Sequence, residues 1–139
     1  MSPIRTYLDT NVLIAAALGN QNPSQAALAI LADPNRVFVS SIFSRMETLP
    51  FPMRRGNNEE RDFYLEFYRD VQAWVRDIEL IINNAISLSG SENIDIIDAC
   101  HLVSAISLRA DEFITAEKPN NPMVKYTEIK VTTIYVGEI

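Results

Sequence analysis

With 139 residues, 47% hydrophobic and 22% charged, the chain matches one globular domain, 1–139, and is too apolar for a disordered or solenoid class. A net charge of −6 excludes a nucleic-acid binder that relies on a basic face alone, unless bound cations supply the positive charge. One cysteine, no basic and apolar leader, no internal repeat and no apolar run near the roughly 18 to 20 residues of a membrane span together predict a cytoplasmic protein without membrane segments.

Elements alternate along the chain. "IRTYLD" reads as a short strand running to Asp9, "NVLIAAAL" as a helix, and "SQAALAILAD" as a second helix with Pro23 before it and Pro34 after it. "RVFVS" is the next strand. "SIFSRMETL" has helical spacing and is predicted to stop at "PFP", followed by a polar loop, "MRRGNN". "EERDFYLEFYRDVQAWVRD" then forms one amphipathic helix, "IELII" a short strand and "NAISLSG" a short helix. "IDIIDACHLVSAISLRA" is a helix apolar on nearly every side, and "EFIT" and "VTTIYV" are the last strands. Strands separated by helices predict a three-layer α/β domain with a mostly parallel sheet and right-handed crossovers.

Asp9 stands where the first strand breaks into a helix. Two roles are open to it: a helix N-cap, for which Asp, Thr and Asn are all good types, or a ligand at the carboxyl edge of a parallel sheet. Glu47 in the helix after the second strand, Asp98 early in the apolar helix, and Glu117 two residues beyond "EFIT" fall near the same edge. Each has a plainer alternative. Glu47 fits a solvated helix acid, Asp98 the N3 partner of an Asp95 cap, and Glu117 a surface charge beside Lys118.

In order and spacing, "YLDTNVLI", "SSIFSRMETL", "DIIDACHLVSA" and "DEFITAE" resemble the PIN-domain family of metal-dependent ribonucleases, which includes the VapC-type toxins. The resemblance spans essentially the whole chain. It implies a three-layer α/β/α sandwich on a central, mostly parallel five-stranded sheet, with acids that bind Mg²⁺ or Mn²⁺ to cleave single-stranded RNA. The family's acids fall on Asp9, Glu47, Asp98 and Glu117, its associated hydroxyl on Thr115, and its polar residue after the first acid on Asn11. An RNA substrate is implied, with an antitoxin protein or a second copy of the chain as partner. Glu117 departs from the usual aspartate, so its longer arm is expected to reach a cation through water or to shift a second ion.

Hydrolysis of a phosphodiester needs an activated water and relief of charge on the phosphate, and hard cations held by carboxylates supply both. Thr10, Asn11 and Thr115 are expected to orient waters, and the clustered acids to have raised pKa values without metal. His101, three residues after Asp98, reads as a packing or supporting group more readily than a proton relay, and Cys100 as inert core. Phe63, Tyr64, Phe67, Tyr68 and Trp74 read as core or interface rather than a base-stacking platform. Arg45, Arg54, Arg55 and Arg61 around "PFPMRRGNN" are the candidate contact to RNA phosphate or to a protein partner. Two functions stand: a metal-dependent endoribonuclease, as in the toxin of a toxin–antitoxin pair, or a catalytically weak PIN module that binds RNA or a protein. A haloacid-dehalogenase-type phosphatase is disfavoured, because "DTN" lacks that family's second aspartate.

Overall fold

The computed structural model describes residues 2–19 and 23–137. Five strands, β1 (Ile4–Leu8), β2 (Arg36–Ser40), β3 (Ala73–Trp74), β4 (Glu112–Thr115) and β5 (Val131–Thr133), pair in the order β3-β2-β1-β4-β5. Every pairing is parallel. Seven helices are described: α1 (Thr10–Leu18), α2 (Ser24–Leu31), α3 (Ile42–Thr48), α4 (Pro50–Arg55), α5 (Asn58–Arg69), α6 (Ile78–Glu92) and α7 (Ile96–Ser107).

The period of two along a strand divides the core. Tyr7 and Phe113, register partners whose rings stack at 5.4 Å, face a cluster built with Ile81 and Ala85 of α6 and Ala99, Leu102 and Ala105 of α7. Leu8 and Ile114, the next partners along, face Val12 and Leu13 of α1, Ala27 of α2, and Tyr64 and Tyr68 of α5. The expected sandwich is therefore present. Val12 and Leu13 are fully buried, each worth about 1.5–3 kcal/mol, and this anchors the first turn of α1 beside Asp9.

Three local expectations are overturned. The long aromatic helix ends at Arg69, because the chain must supply an outer partner for β2: Gln72 N–H donates to Phe38 O at 2.8 Å, and β3 continues the pairing. "IELII" is not a strand but the opening of α6, which also absorbs "NAISLSG"; Asp77 caps it through a bond from Leu80 N–H at 3.1 Å, and Ile81 and Ala85 share the buried face. "SIFSRMETL" stops at "PFP" as expected, α3 ending at Thr48, but "MRRGNN" is not a loop, because a new helix starts at once. Pro50 occupies the first turn of α4, where no backbone donor is needed, and the helix runs through Arg55 to Gly56, whose φ of 68° suits a residue without Cβ. The predicted strand "VTTIYV" shortens to Val131–Thr133.

Candidate active site

Because the strands run one way, their carboxyl ends and the following helix starts form a single edge. Asp9 is seated there by its own backbone, whose N–H donates to Ile114 O at 2.8 Å and brings it beside Thr115. Its carboxylate is buried and doubly held. Oδ1 accepts from Thr10 N–H and Oδ2 from the Thr115 hydroxyl, both at 2.8 Å. Asp9 thus caps α1, one of the two roles the sequence left open, while its carboxylate stands at the sheet edge near His101 and within the field of Glu47. Burial raises its pKa, against the pull of His101 and of the hydrogen bonds from Thr115 and Thr10.

Glu47 reaches this edge from α3. Its Oε1 accepts from His101 Nε2 at 2.6 Å and from the Thr10 hydroxyl at 2.8 Å. The His101 hydrogen bond, followed by the one from Thr10, holds the Glu47 pKa below its ordinary value against partial burial. Glu47 is therefore no free-swinging surface acid. Asp98 lies in the first turn of α7, whose N-cap is Asp95, as expected: Asp95 Oδ2 accepts from Ile97 N–H at 3.1 Å. Among the described residues Asp98 accepts no hydrogen bond. Burial first, then the charges of Asp9, Asp95 and Glu117, push its pKa up to about 7, with only His101 opposing. Asp98 thus lies within the fields of Asp9 and Glu117 at the same edge.

Glu117 is tied in as well. Its Oε1 accepts from the Asn11 amide at 3.5 Å and its Oε2 from Asn121 at 3.3 Å, while its backbone N–H donates to Thr115 Oγ1 at 3.1 Å. Asn11 Oδ1 in turn accepts from Ala116 N–H at 3.0 Å. Thr10, Asn11 and Thr115 each lie within one hydrogen bond of an acid, Glu47, Glu117 and Asp9 respectively, and so orient the carboxylates directly.

Behind this layer lies a buried row in which His101 has the supporting place expected for it, joined by Tyr7 and Ser41, which the sequence did not single out. The Tyr7 hydroxyl is 2.7 Å from His101 Nδ1 and 2.6 Å from Ser41 Oγ, and all three residues are fully buried. The available signal was Tyr7 itself: a tyrosine in a strand that is buried in the core must find a partner for its hydroxyl.

Two clefts adjoin the cluster. One, about 340 Å³, runs past Glu47 between Ile14, Phe51, Arg54, Arg55 and Tyr64; the other, about 310 Å³, opens at Asn11 and Glu117. Of the four candidate arginines, only Arg54 and Arg55 line the first cleft, and the Arg55 guanidinium sits 4.0 Å over the Phe51 ring. Arg45 lies over Trp74 instead, and Arg61 pairs with Asp62 at 2.9 Å. Tyr64 and Tyr68 are core, as expected, and Cys100 is buried.

The donors at this edge are hard oxygens, suited to Mg²⁺ or Mn²⁺. Among the described residues no group of three or more His, Cys, Asp or Glu side chains is placed to hold a metal ion together. Mg²⁺ requires no such group, since it is held by one or two carboxylates and keeps several waters. Asp98, with no hydrogen bond among the described residues and a negative field around it, has the chemistry that suits such a cation.

The PIN domain model matches residues 6–118, from the middle of β1 to just beyond Glu117. The chain belongs to the PIN domain family. PIN domains are nucleases, and this match spans all four acids at the sheet edge. Among solved structures, this PIN domain is similar to a chain of VapBC2 from Rickettsia felis bound to a promoter DNA fragment (TM-score 0.69, 12% identity, covering 94% of this chain and 98% of that one). DNA-bound VapBC from Salmonella typhimurium (0.68, 12%) and a toxin–antitoxin complex from Klebsiella pneumoniae (0.65, 20%) align over the same shares of each chain. At these identities the likeness establishes the fold. No curated protein sequence matches the chain. Among the described residues no helix is long and apolar enough to cross a membrane.

Proposed function

We propose that this PIN domain is a divalent-metal-dependent endoribonuclease that cleaves single-stranded RNA and is the toxin of a toxin–antitoxin pair. The observation that carries the reading is the state of Asp98: half-buried, without a hydrogen-bond donor, and under the combined charge of Asp9 and Glu117. Such an arrangement is costly for a bare protein and suits one that holds a cation. Asp9 and Asp98 would hold the ion, with Glu47 and Glu117 completing the shell directly or through water. A bound Mg²⁺ or Mn²⁺ supplies the charge that steadies the phosphate and acidifies a water. The protein's own part is to fix the carboxylates through Thr10, Thr115 and Asn11, and to present Arg54 and Arg55 to the chain's phosphates beside Glu47. The antitoxin partner is supported by the solved relatives, which are toxin–antitoxin complexes.

The test is cleavage of single-stranded RNA by purified protein, in Mn²⁺ and in chelator, by wild type, Asp9→Asn and Asp98→Asn. Metal-dependent cleavage lost in both variants is expected. A folded wild type that binds RNA but never cuts it would instead identify a binding module.

A further inference from the structure

Glu47 extends from α3 with its side chain 40% exposed, where a glutamate ordinarily turns into solvent. It is turned inward from behind. Ser41, Tyr7 and His101 form a continuous hydrogen-bonded row, with steps of 2.6 and 2.7 Å, and the row ends in the 2.6 Å contact from His101 Nε2 to Glu47 Oε1. With Tyr7 donating to Nδ1, the ring carries its hydrogen on Nε2, and a doubly protonated ring carries one there too. Either way Nε2 donates. The opposite tautomer would set a nitrogen lone pair against a carboxylate, which is repulsive. Thr10 donates to the same oxygen, so both bonds converge on Oε1, and among the described residues Oε2 receives no protein donor. His101 is wholly buried, and the edges of Tyr7 and Phe43 contact its ring with centroids 5.7 and 6.4 Å away, so it does not reach RNA.

From this geometry we infer that the row Ser41, Tyr7 and His101 is a positioning device that holds Glu47 as a one-oxygen ligand, with Oε2 offered to the cation. The inference rests on the metal-dependent reading above. Partners of this kind typically contribute 10–100-fold in metal affinity.

The experiment is Mn²⁺ titration of the full chain, followed by the spin-resonance signal of free ion, for wild type, Glu47→Gln, His101→Leu, His101→Gln, Tyr7→Phe and the double variant His101→Leu with Glu47→Gln. His101→Leu is expected to weaken Mn²⁺ binding by about 10–100-fold. His101→Gln, which keeps an amide donor, should recover part of the loss, and Tyr7→Phe should lose less in the same direction. The double variant should bind little worse than Glu47→Gln, because both changes remove one ligand. Wild-type affinity in His101→Leu and Tyr7→Phe, or losses that multiply in the double variant, would overturn the role. If His101→Leu does not fold, Tyr7→Phe decides alone: undiminished affinity overturns the inference. A wild type that binds no Mn²⁺ sinks the metal-dependent reading together with this one; Mn²⁺ binding that Asp9→Asn abolishes and Tyr7→Phe and His101→Leu leave intact sinks only the positioning role.

Discussion

In the absence of metal, Asp98→Asn is expected to be more stable than wild type at pH 8 and equal to it near pH 4. The side chain accepts no hydrogen bond among the described residues, so the amide forfeits none, and the change removes only a charge held among other charges. Burial and the fields of Asp9, Asp95 and Glu117 push the Asp98 pKa from 3.8 to about 7. Between those values the folded protein keeps a proton that the unfolded chain has released, so wild-type stability falls as pH rises through the interval. At about 1.36 kcal/mol for each tenfold change in proton affinity, the ceiling is about 4 kcal/mol. Asp98 is only half-buried, and solvent screening reduces this to about 1–2 kcal/mol. For a domain of this size that is a difference of about 3–8 °C in melting temperature. The contributions of Asp9, raised, and Glu47, lowered, are common to both proteins and largely cancel in the comparison.

The assay is a set of thermal melts at pH 4, 6 and 8 in chelator, repeated at pH 8 in excess Mn²⁺. Metal should raise wild type more than the variant and close the gap, because a cation prefers the deprotonated carboxylate. Equal melting temperatures at pH 8 in chelator, from two proteins with matching circular dichroism, would mean that Asp9 and Glu117 do not act on Asp98. The acids would then not form one site.

Asp9→Asn should abolish metal-dependent cleavage yet shift the melt little, since Asn caps a helix about as well as Asp; cleavage at the wild-type rate would remove Asp9 from the site. Glu117→Asp should stay active, while Glu117→Ala should need about tenfold more Mn²⁺ for half-maximal cleavage; an unchanged metal requirement would return Glu117 to a purely structural role. Arg54→Ala and Arg55→Ala should each lower the salt dependence of RNA binding by about 0.7 in log–log slope, measured by anisotropy on an Asp9→Asn background. Tyr68→Phe should cost about 1–2 kcal/mol in urea melts, because the buried Ser44 and Thr48 hydroxyls both meet the Tyr68 oxygen, at 2.8 and 2.6 Å.

The parts of the fold that were legible in the sequence are those whose pattern is local. "RVFVS" and "EFIT" coincide with β2 and β4, and Asp95 and Asp98 fall in the first turn of their helix as read. Residues 73 and 74 become a strand only because β2 has an unpaired edge, a fact about a segment more than thirty residues earlier that no window of sequence contains. "IELII" has β-type composition, but Asp77 supplies a cap and α7 a surface to pack on, and tertiary burial outweighs propensity. At the site, the acids were visible as residue types at element boundaries. Thr10, Asn11, Thr115 and His101 were legible as supports too, but the link from His101 to Tyr7 was not, since the two are ninety-four positions apart and meet only when β1 and α7 pack.

Asp9 is fixed by the best-packed parts of the molecule: β1 on one side, the buried first turn of α1 on the other, and Thr115 of β4 across the sheet. It needs no further help to hold its place. Glu47 and Glu117 arrive on longer, half-exposed arms, and each is held by polar side chains from elsewhere, Thr10 and His101 for one, Asn11 and Asn121 for the other. Both sets trace back to residues 10 and 11, immediately after Asp9, so one short stretch sets the central carboxylate and steers its two neighbours. A substitution at Thr10 or Asn11 would therefore displace a flanking acid while leaving Asp9 in position, separating what the rigid centre contributes from what the adjustable flanks contribute.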